Sequence, residues 1–148
     1  MIKHASLSLA LAIGCLSTTA FAAESPIATR KAIMKSVGAA AGAGGGMLKG
    51  EIPFNPAVAN LALRTMNAAA HSVGDYFPED SKTGMETEAS PKIWEDMAGF
   101  SEKLAKFKAD SDAAAASKPA DLDSFKAAFG SVVQNCKGCH EGYRVKKN

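Results

Sequence analysis

LDSFKAAFGSVVQNCKGCHEGY, residues 122–143, places an apolar helical stripe and a cofactor motif on one continuous segment. Leu122, Phe125, Phe129, Val132 and Val133 recur at three- and four-residue spacing, the period of an amphipathic helix. The stripe runs directly into Cys136-Lys137-Gly138-Cys139-His140. In a C-x-x-C-H motif the two thiols add across the vinyl groups of a haem to form thioethers, and the adjacent histidine reaches the iron from one face. At about 100° per residue, His140 lies 18 positions beyond Leu122 and returns to nearly the same direction. Phe125, Phe129, Cys136 and Tyr143 fall within about 60° of it. The histidine is therefore expected to face the interior of a helical bundle, with the haem inserted between helices.

Three further segments carry the helical period, and none shows a convincing strand alternation. The first opens with Ser25 as N-cap and Pro26 at the first helical position, continues through Ile27, Met34, Val37, Ala41 and Leu48, and meets Gly50 as a C-terminal cap. The second opens at Asn55-Pro56 and runs through Val58, Leu61, Ala62, Thr65 and Ala69 towards Val73. Ser90-Pro91 opens the third, with Ile93, Met97, Phe100, Leu104 and Phe107 on its stripe. The last begins near Asp121 and ends in the haem motif. Four such helices in one small domain predict an all-α fold, an antiparallel four-helix bundle with a covalently attached haem. The longest connection is an acidic loop from Asp75 to Ala89 around Phe77-Pro78. Gly38, Gly42, Gly44, Gly45 and Gly46 lie where the first helix should continue, and each handicaps a helix by about 1 kcal/mol relative to alanine. A weakened but mostly helical segment is expected there. Fraying, a kink, or close approach by a helix or by the haem would each account for it.

The first 22 residues read as a cleaved export signal: Lys3, an apolar run from Ala5 to Ile13, then Ala20-Phe21-Ala22 as a small-x-small cleavage site. A lipoprotein signal acylated at Cys15 is the alternative, with its leucine one place too early. The apolar run is too short for a comfortable membrane span, so none is expected after cleavage. Residues 23–148 then form one domain in the periplasm, with Cys136 and Cys139 its only cysteines. No second cysteine–histidine pair completes a zinc tetrahedron, and no βαβ pattern supports a redox C-x-x-C. Without Lys3, 16 basic residues face 15 acidic ones, a balance that gives no support to nucleic-acid or membrane-surface binding.

A C-terminal C-x-x-C-H followed by Tyr143-Arg144 and closing a four-helix chain resembles the class II c-type cytochromes, the cytochrome c-prime family. Ser90-Pro91-Lys92-Ile93-Trp94 is similar to the start of that family's third helix, and Lys49-Gly50-Glu51-Ile52-Pro53-Phe54 to its first inter-helix turn. The resemblance spans essentially the whole chain after the leader and implies one haem c near one end of the bundle. It also frames the question of the sixth iron ligand. Better-known members leave that face open beneath an apolar side chain of the first helix and bind small gases; a second branch places a methionine there and transfers electrons. The position that faces the iron, four beyond Arg30, is Met34 here, so the chain looks like the methionine-ligated, low-spin branch. From periodicity alone Met34 is as readily a plain core residue.

Arg30 and Arg144 are candidates to hold a haem propionate, and Trp94 to pack on the porphyrin edge. Arg30 is about as readily a solvated charge, Arg144 a cation at the helix C-terminus, and Trp94 plain core. His71 reads as a surface residue. Lys137, Arg144, Lys146 and Lys147 form a basic cluster that suits an acidic redox partner, although a solvated tail accounts more readily for Lys146 and Lys147. Bundles of this family often pair through their first two helices, and small residues on the first helix permit a homodimer. The expected function is a periplasmic one-electron carrier with His140 and Met34 as axial ligands. The alternative is a five-coordinate, high-spin protein that binds or scavenges nitric oxide and other small gases. No acid–base pair is evident, and the chain is not expected to be an enzyme.

Overall fold

Helix boundaries follow local chemistry closely in the computed structural model, which describes residues 25–145. Helix α1 spans Pro26–Leu48, α2 Pro56–Ser72, α3 Lys92–Glu95, α4 Met97–Ser117 and α5 Leu122–Tyr143. Pro26 and Pro56 start α1 and α2, where a missing N–H costs nothing. The Asn55 side chain accepts from the backbone N–H groups of Ala57 and Val58, and Asp121 forms a capping box with Ser124 at the start of α5. Gly50, with φ of 74°, turns the chain out of α1 as expected. The expected export signal, residues 1–22, and the residues beyond Val145 lie outside the described residues.

The four long helices pack α1 on α2, α2 on α4 and α4 on α5, with α5 closing on α1. Short links join α1 to α2 and α4 to α5, as antiparallel neighbours require. The main core brings together Val37, Met47, Leu63, Met66, Phe125, Phe129 and Val132. A second, smaller core of Ile93, Phe100 and Tyr143 takes in Phe77, Leu104 and Cys139. No helix among the described residues is long and apolar enough to cross a membrane.

Three expectations are corrected. The buried stripe of α2 is Ala59, Ala62, Leu63, Met66, Ala69 and Ala70, whereas Val58 and Leu61 are exposed, Leu61 at 64%. Alanines and leucines lie on more than one face of this helix, so its apolar period has two phases and packing selects one. The third helix is not continuous: Asp96, with φ of −134° and ψ of 59°, breaks it, and its carboxylate caps α4 by accepting from Gly99 N. Met97 consequently leaves the core and is exposed. Leu122, the first residue of α5, is exposed as well, at 39%.

The glycine run is helical throughout α1, and only part of it has a packing cause. A Cβ on Gly44 would sit 2.3 Å from Phe129 Cε2, so Gly44 lets α5 approach α1. A Cβ on Gly46 would meet Ile52 at 2.8 Å, while no protein atom lies within 4 Å of a Cβ on Gly42 or Gly45, nor on Gly38, which belongs to a cavity wall.

Candidate haem site

Between the two cores lies a cavity of about 590 Å³. Met34, Val37, Gly38 and Ala41 of α1 form one wall, and Cys136, Cys139, His140 and Tyr143 of α5 form another. Val73, Phe77, Ile93, Phe100 and Leu104 supply apolar surface, and Lys31, Lys35, Glu86, Glu88 and Arg144 bring charge. The volume lies within the usual range for a small-molecule or cofactor pocket, about 300–1,000 Å³. The cavity thus brings Met34 together with the two cysteines and the histidine of the motif, although Met34 and Cys136 stand 102 positions apart.

Cys136 and Cys139 are half-buried and form no disulfide. Burial raises both thiol pKa values, with the charge of Cys136 adding to the effect at Cys139 and Lys103 opposing it. Burial thus favours the protonated thiols. His140 lines the cavity together with both cysteines. Partial desolvation lowers its pKa, with Arg144 acting in the same direction and Glu88 against it. A neutral imidazole, the form that donates to a metal, is favoured.

Arg30 is buried at 3% exposure and ties the acidic loop to α1. One terminal nitrogen, Nη1, donates to Tyr76 O and Ser81 Oγ, both at 2.9 Å; Nη2 donates to Ser81 O at 3.0 Å and Thr87 Oγ1 at 3.2 Å. The guanidinium also stacks over Phe77, 4.8 Å from the ring centroid. Its Nε has no hydrogen-bond partner despite full burial, and Arg30 borders the cavity. Buried N–H groups are rarely left unpaired. The fit to the expected cofactor lies in the cavity itself, whose apolar walls, two thiols and imidazole are the groups a covalently attached haem requires.

The other two secondary candidates, Trp94 and Arg144, differ in their relation to the cavity. Trp94 is not among the cavity-lining residues; its indole N–H donates to Phe77 O at 3.1 Å and Pro78 O at 3.2 Å, anchoring the acidic loop. Arg144 does line the cavity, but its guanidinium is engaged by Glu88, with Nε 2.6 Å from Oε2. His71 is on the surface as expected, paired with Asp112 at 2.7 Å. Sequence reasoning missed Glu88, Ser81, Thr87 and Phe77, which lie in a loop without periodicity where no spacing links them to their partners.

A family model described as Cytochrome C' matches residues 25–144. The chain belongs to the cytochrome c-prime family. Its cofactor is accordingly one covalently attached haem c with its iron. Among relatives of the cytochrome c-prime chain, cytochrome c' of Rhodopseudomonas palustris is 44% identical over 122 residues, covering 82% of this chain and 83% of that protein. A solved structure of cytochrome c' from Rhodopseudomonas palustris superposes with a TM-score of 0.79 at 43% identity, covering 85% of this chain and all of that one. Cytochrome c-556 of Agrobacterium fabrum is 35% identical, covering 99% of both chains. The fold is also shared, with a TM-score of 0.71 at 28% identity, by a variant of cytochrome c prime from Alcaligenes xylosoxidans solved as a nitric oxide complex, covering 82% of this chain and 94% of that one.

Proposed function

We propose that the protein is a one-electron carrier whose haem c is bonded through Cys136 and Cys139 and ligated axially by His140 and Met34. The observation that supports this reading is that Met34 on α1 and His140 on α5 border one cavity together with both thiols. When bound, the haem supplies a one-electron ferric/ferrous couple. Cys136 and Cys139 fix its position, and His140 offers a neutral nitrogen donor. The Met34 thioether is a soft donor that favours the ferrous state and raises the potential. Val37, Val73, Phe100 and Leu104 would exclude water from the buried face, and the Arg30 guanidinium brings a positive charge to the border of the cavity. Two filled axial positions keep the coordination shell nearly unchanged between oxidation states. No acid–base group is needed, so the reading is not an enzymatic one. The similarity to cytochrome c-556 over 99% of both chains is consistent with this branch.

Export to the periplasm through residues 1–22 and exchange with redox partner proteins complete the reading. Exposed Val58, Leu61 and Ile52 near the first turn support pairing of two copies through α1 and α2. Sedimentation of wild type against Leu61→Glu tests it: a mass that does not change between them removes this face from any dimer.

The second reading, a gas-binding protein in which Met34 merely covers the iron, is favoured by the 44% identity to a cytochrome c' and by the nitric oxide complex of another relative. The optical spectrum decides between the two. A low-spin ferric spectrum that turns high-spin in Met34→Ala, with rapid carbon monoxide binding after reduction, supports the carrier. A high-spin wild type, or an unchanged spectrum in Met34→Ala, rejects Met34 as ligand.

A further inference from the structure

We propose that Glu88 and Arg144 form a compensated charge pair that holds the iron's reduction potential from the His140 side, with Glu88 as the positioning residue for Arg144. The inference rests on attachment of the haem at Cys136 and Cys139 and on ligation by His140; it does not depend on the sixth ligand.

The pair is delivered by backbone rather than by long, free side chains. Ala89 and Arg144 form an isolated antiparallel bridge. Ser90 N donates to Tyr143 O at 3.0 Å, and Val145 N donates to Glu88 O at 2.9 Å. Arg144 has already left the helix, with φ of −121° and ψ of 130°, which carries its side chain alongside the loop. Both Nε and Nη2 reach Glu88 Oε2, at 2.6 and 2.5 Å. The two charges and His140 border the same cavity, and both charges act on the imidazole with opposite sign. Lys31, Lys35 and Glu86 are the other charged groups at the cavity with Arg30, and Lys31 Nζ donates to Glu86 O at 3.0 Å.

Ferric iron carries one more positive charge than ferrous iron. A neighbouring anion therefore stabilises the oxidised state and a cation the reduced state. Held 2.5 Å apart, Glu88 and Arg144 largely cancel at the iron. Neutralising either partner uncovers the other. Both side chains are partly exposed, at 49% and 40%, so the uncovered charge is screened by salt.

The test is the midpoint potential of the holoprotein in wild type, Glu88→Gln, Arg144→Gln and the double variant, at low and high salt. Glu88→Gln is expected to raise the potential, Arg144→Gln to lower it, and the double variant to lie near wild type. The single-variant shifts should shrink as salt is added. A bridge that merely stiffens the end of α5 would move both single variants in the same direction, and that result overturns the proposal. So does an unchanged potential in Glu88→Gln. Should Glu88→Gln fail to retain haem, Arg144→Gln against Arg144→Lys carries the test, since the lysine should restore most of the wild-type value and its failure to do so rejects the pair. The wild-type spectrum reports the ligand set separately, so a failed ligand assignment is distinguishable from a failed charge pair.

Discussion

Tyr143 donates its hydroxyl to Asp96 Oδ2 at 2.8 Å and so ties the haem-motif end of α5 to the N-cap of α4. The other Asp96 oxygen accepts from Gly99 N at 3.0 Å. Gly99 is required at this spot, because a Cβ there would lie 2.6 Å from the Tyr143 hydroxyl. The bond to a carboxylate pushes the Tyr143 pKa up to about 12 from an ordinary 10.0. A group whose folded-state pKa is raised contributes stability that is intact below its unfolded value and lost as pH climbs through the folded one. The clamp is thus expected to fail between pH 10 and about 12. Thermal unfolding of wild type and Tyr143→Phe across that window checks it: the variant should be less stable at pH 8, and the gap should close at the alkaline end.

The acid side is governed by the partner. Hydrogen bonds from Tyr143 and then Gly99 lower the Asp96 pKa below 3.8, with a smaller contribution from Lys92. A depressed carboxylate contributes stability above its unfolded pKa and loses it as pH falls through the folded one. Asp96→Asn should therefore flatten the loss of stability below pH 3.8 while lowering stability at neutral pH. Urea titrations at several pH values between 3 and 7 provide the measurement, and a parallel acid limb in both proteins would assign the acid response elsewhere.

Arg30 of α1 is expected to be a costly side chain to remove, because it holds the acidic loop. It serves four acceptors on three loop residues, all from within α1. Arg30→Gln should destabilise by more than the roughly 0.5–1.5 kcal/mol of one ordinary hydrogen bond, because several buried acceptors lose their donor at once. Hydrogen exchange should accelerate across residues 76–87 while the middle of α2 and α5 stays protected. Uniform acceleration over the whole chain would mean that the loop is not pinned separately.

These contacts mark where the sequence stopped being legible. Helix positions could be read because proline, asparagine, aspartate and glycine act locally, as at Pro26, Asn55, Asp121 and Gly50. The haem motif was equally local, and the juxtaposition of Met34 with His140 followed from family resemblance rather than from periodicity. What escaped is non-local. The phase of the α2 stripe is chosen by what Leu63 and Met66 meet, not by the helix's own pattern. The break at Asp96 hides inside an apolar stripe that continues in sequence but not in space. Glu88 carries no spacing signal towards Arg144, since the two stand 56 positions apart with a change of element between them.

The glycines of α1 offer a final test in which neighbouring positions should respond with opposite signs. Gly44 and Gly42 lie two residues apart on the same helix and face different surroundings. Alanine at either position gains up to about 1 kcal/mol of helix propensity. At Gly42 nothing lies within 4 Å of the added methyl, so Gly42→Ala should stabilise by roughly 0.5–1 kcal/mol. At Gly44 the methyl would drive into the Phe129 ring, whose nearest three atoms stand 2.3–2.9 Å away. Phe129 is itself buried against Phe125, with ring centroids 5.1 Å apart, and has little room to retreat. Overpacking of this kind costs about 1–3 kcal/mol, enough to outweigh the propensity gain. Gly44→Ala should therefore lower the midpoint of chemical denaturation while Gly42→Ala raises it. Equal gains at both positions would show that α1 and α5 are not in close contact at Phe129.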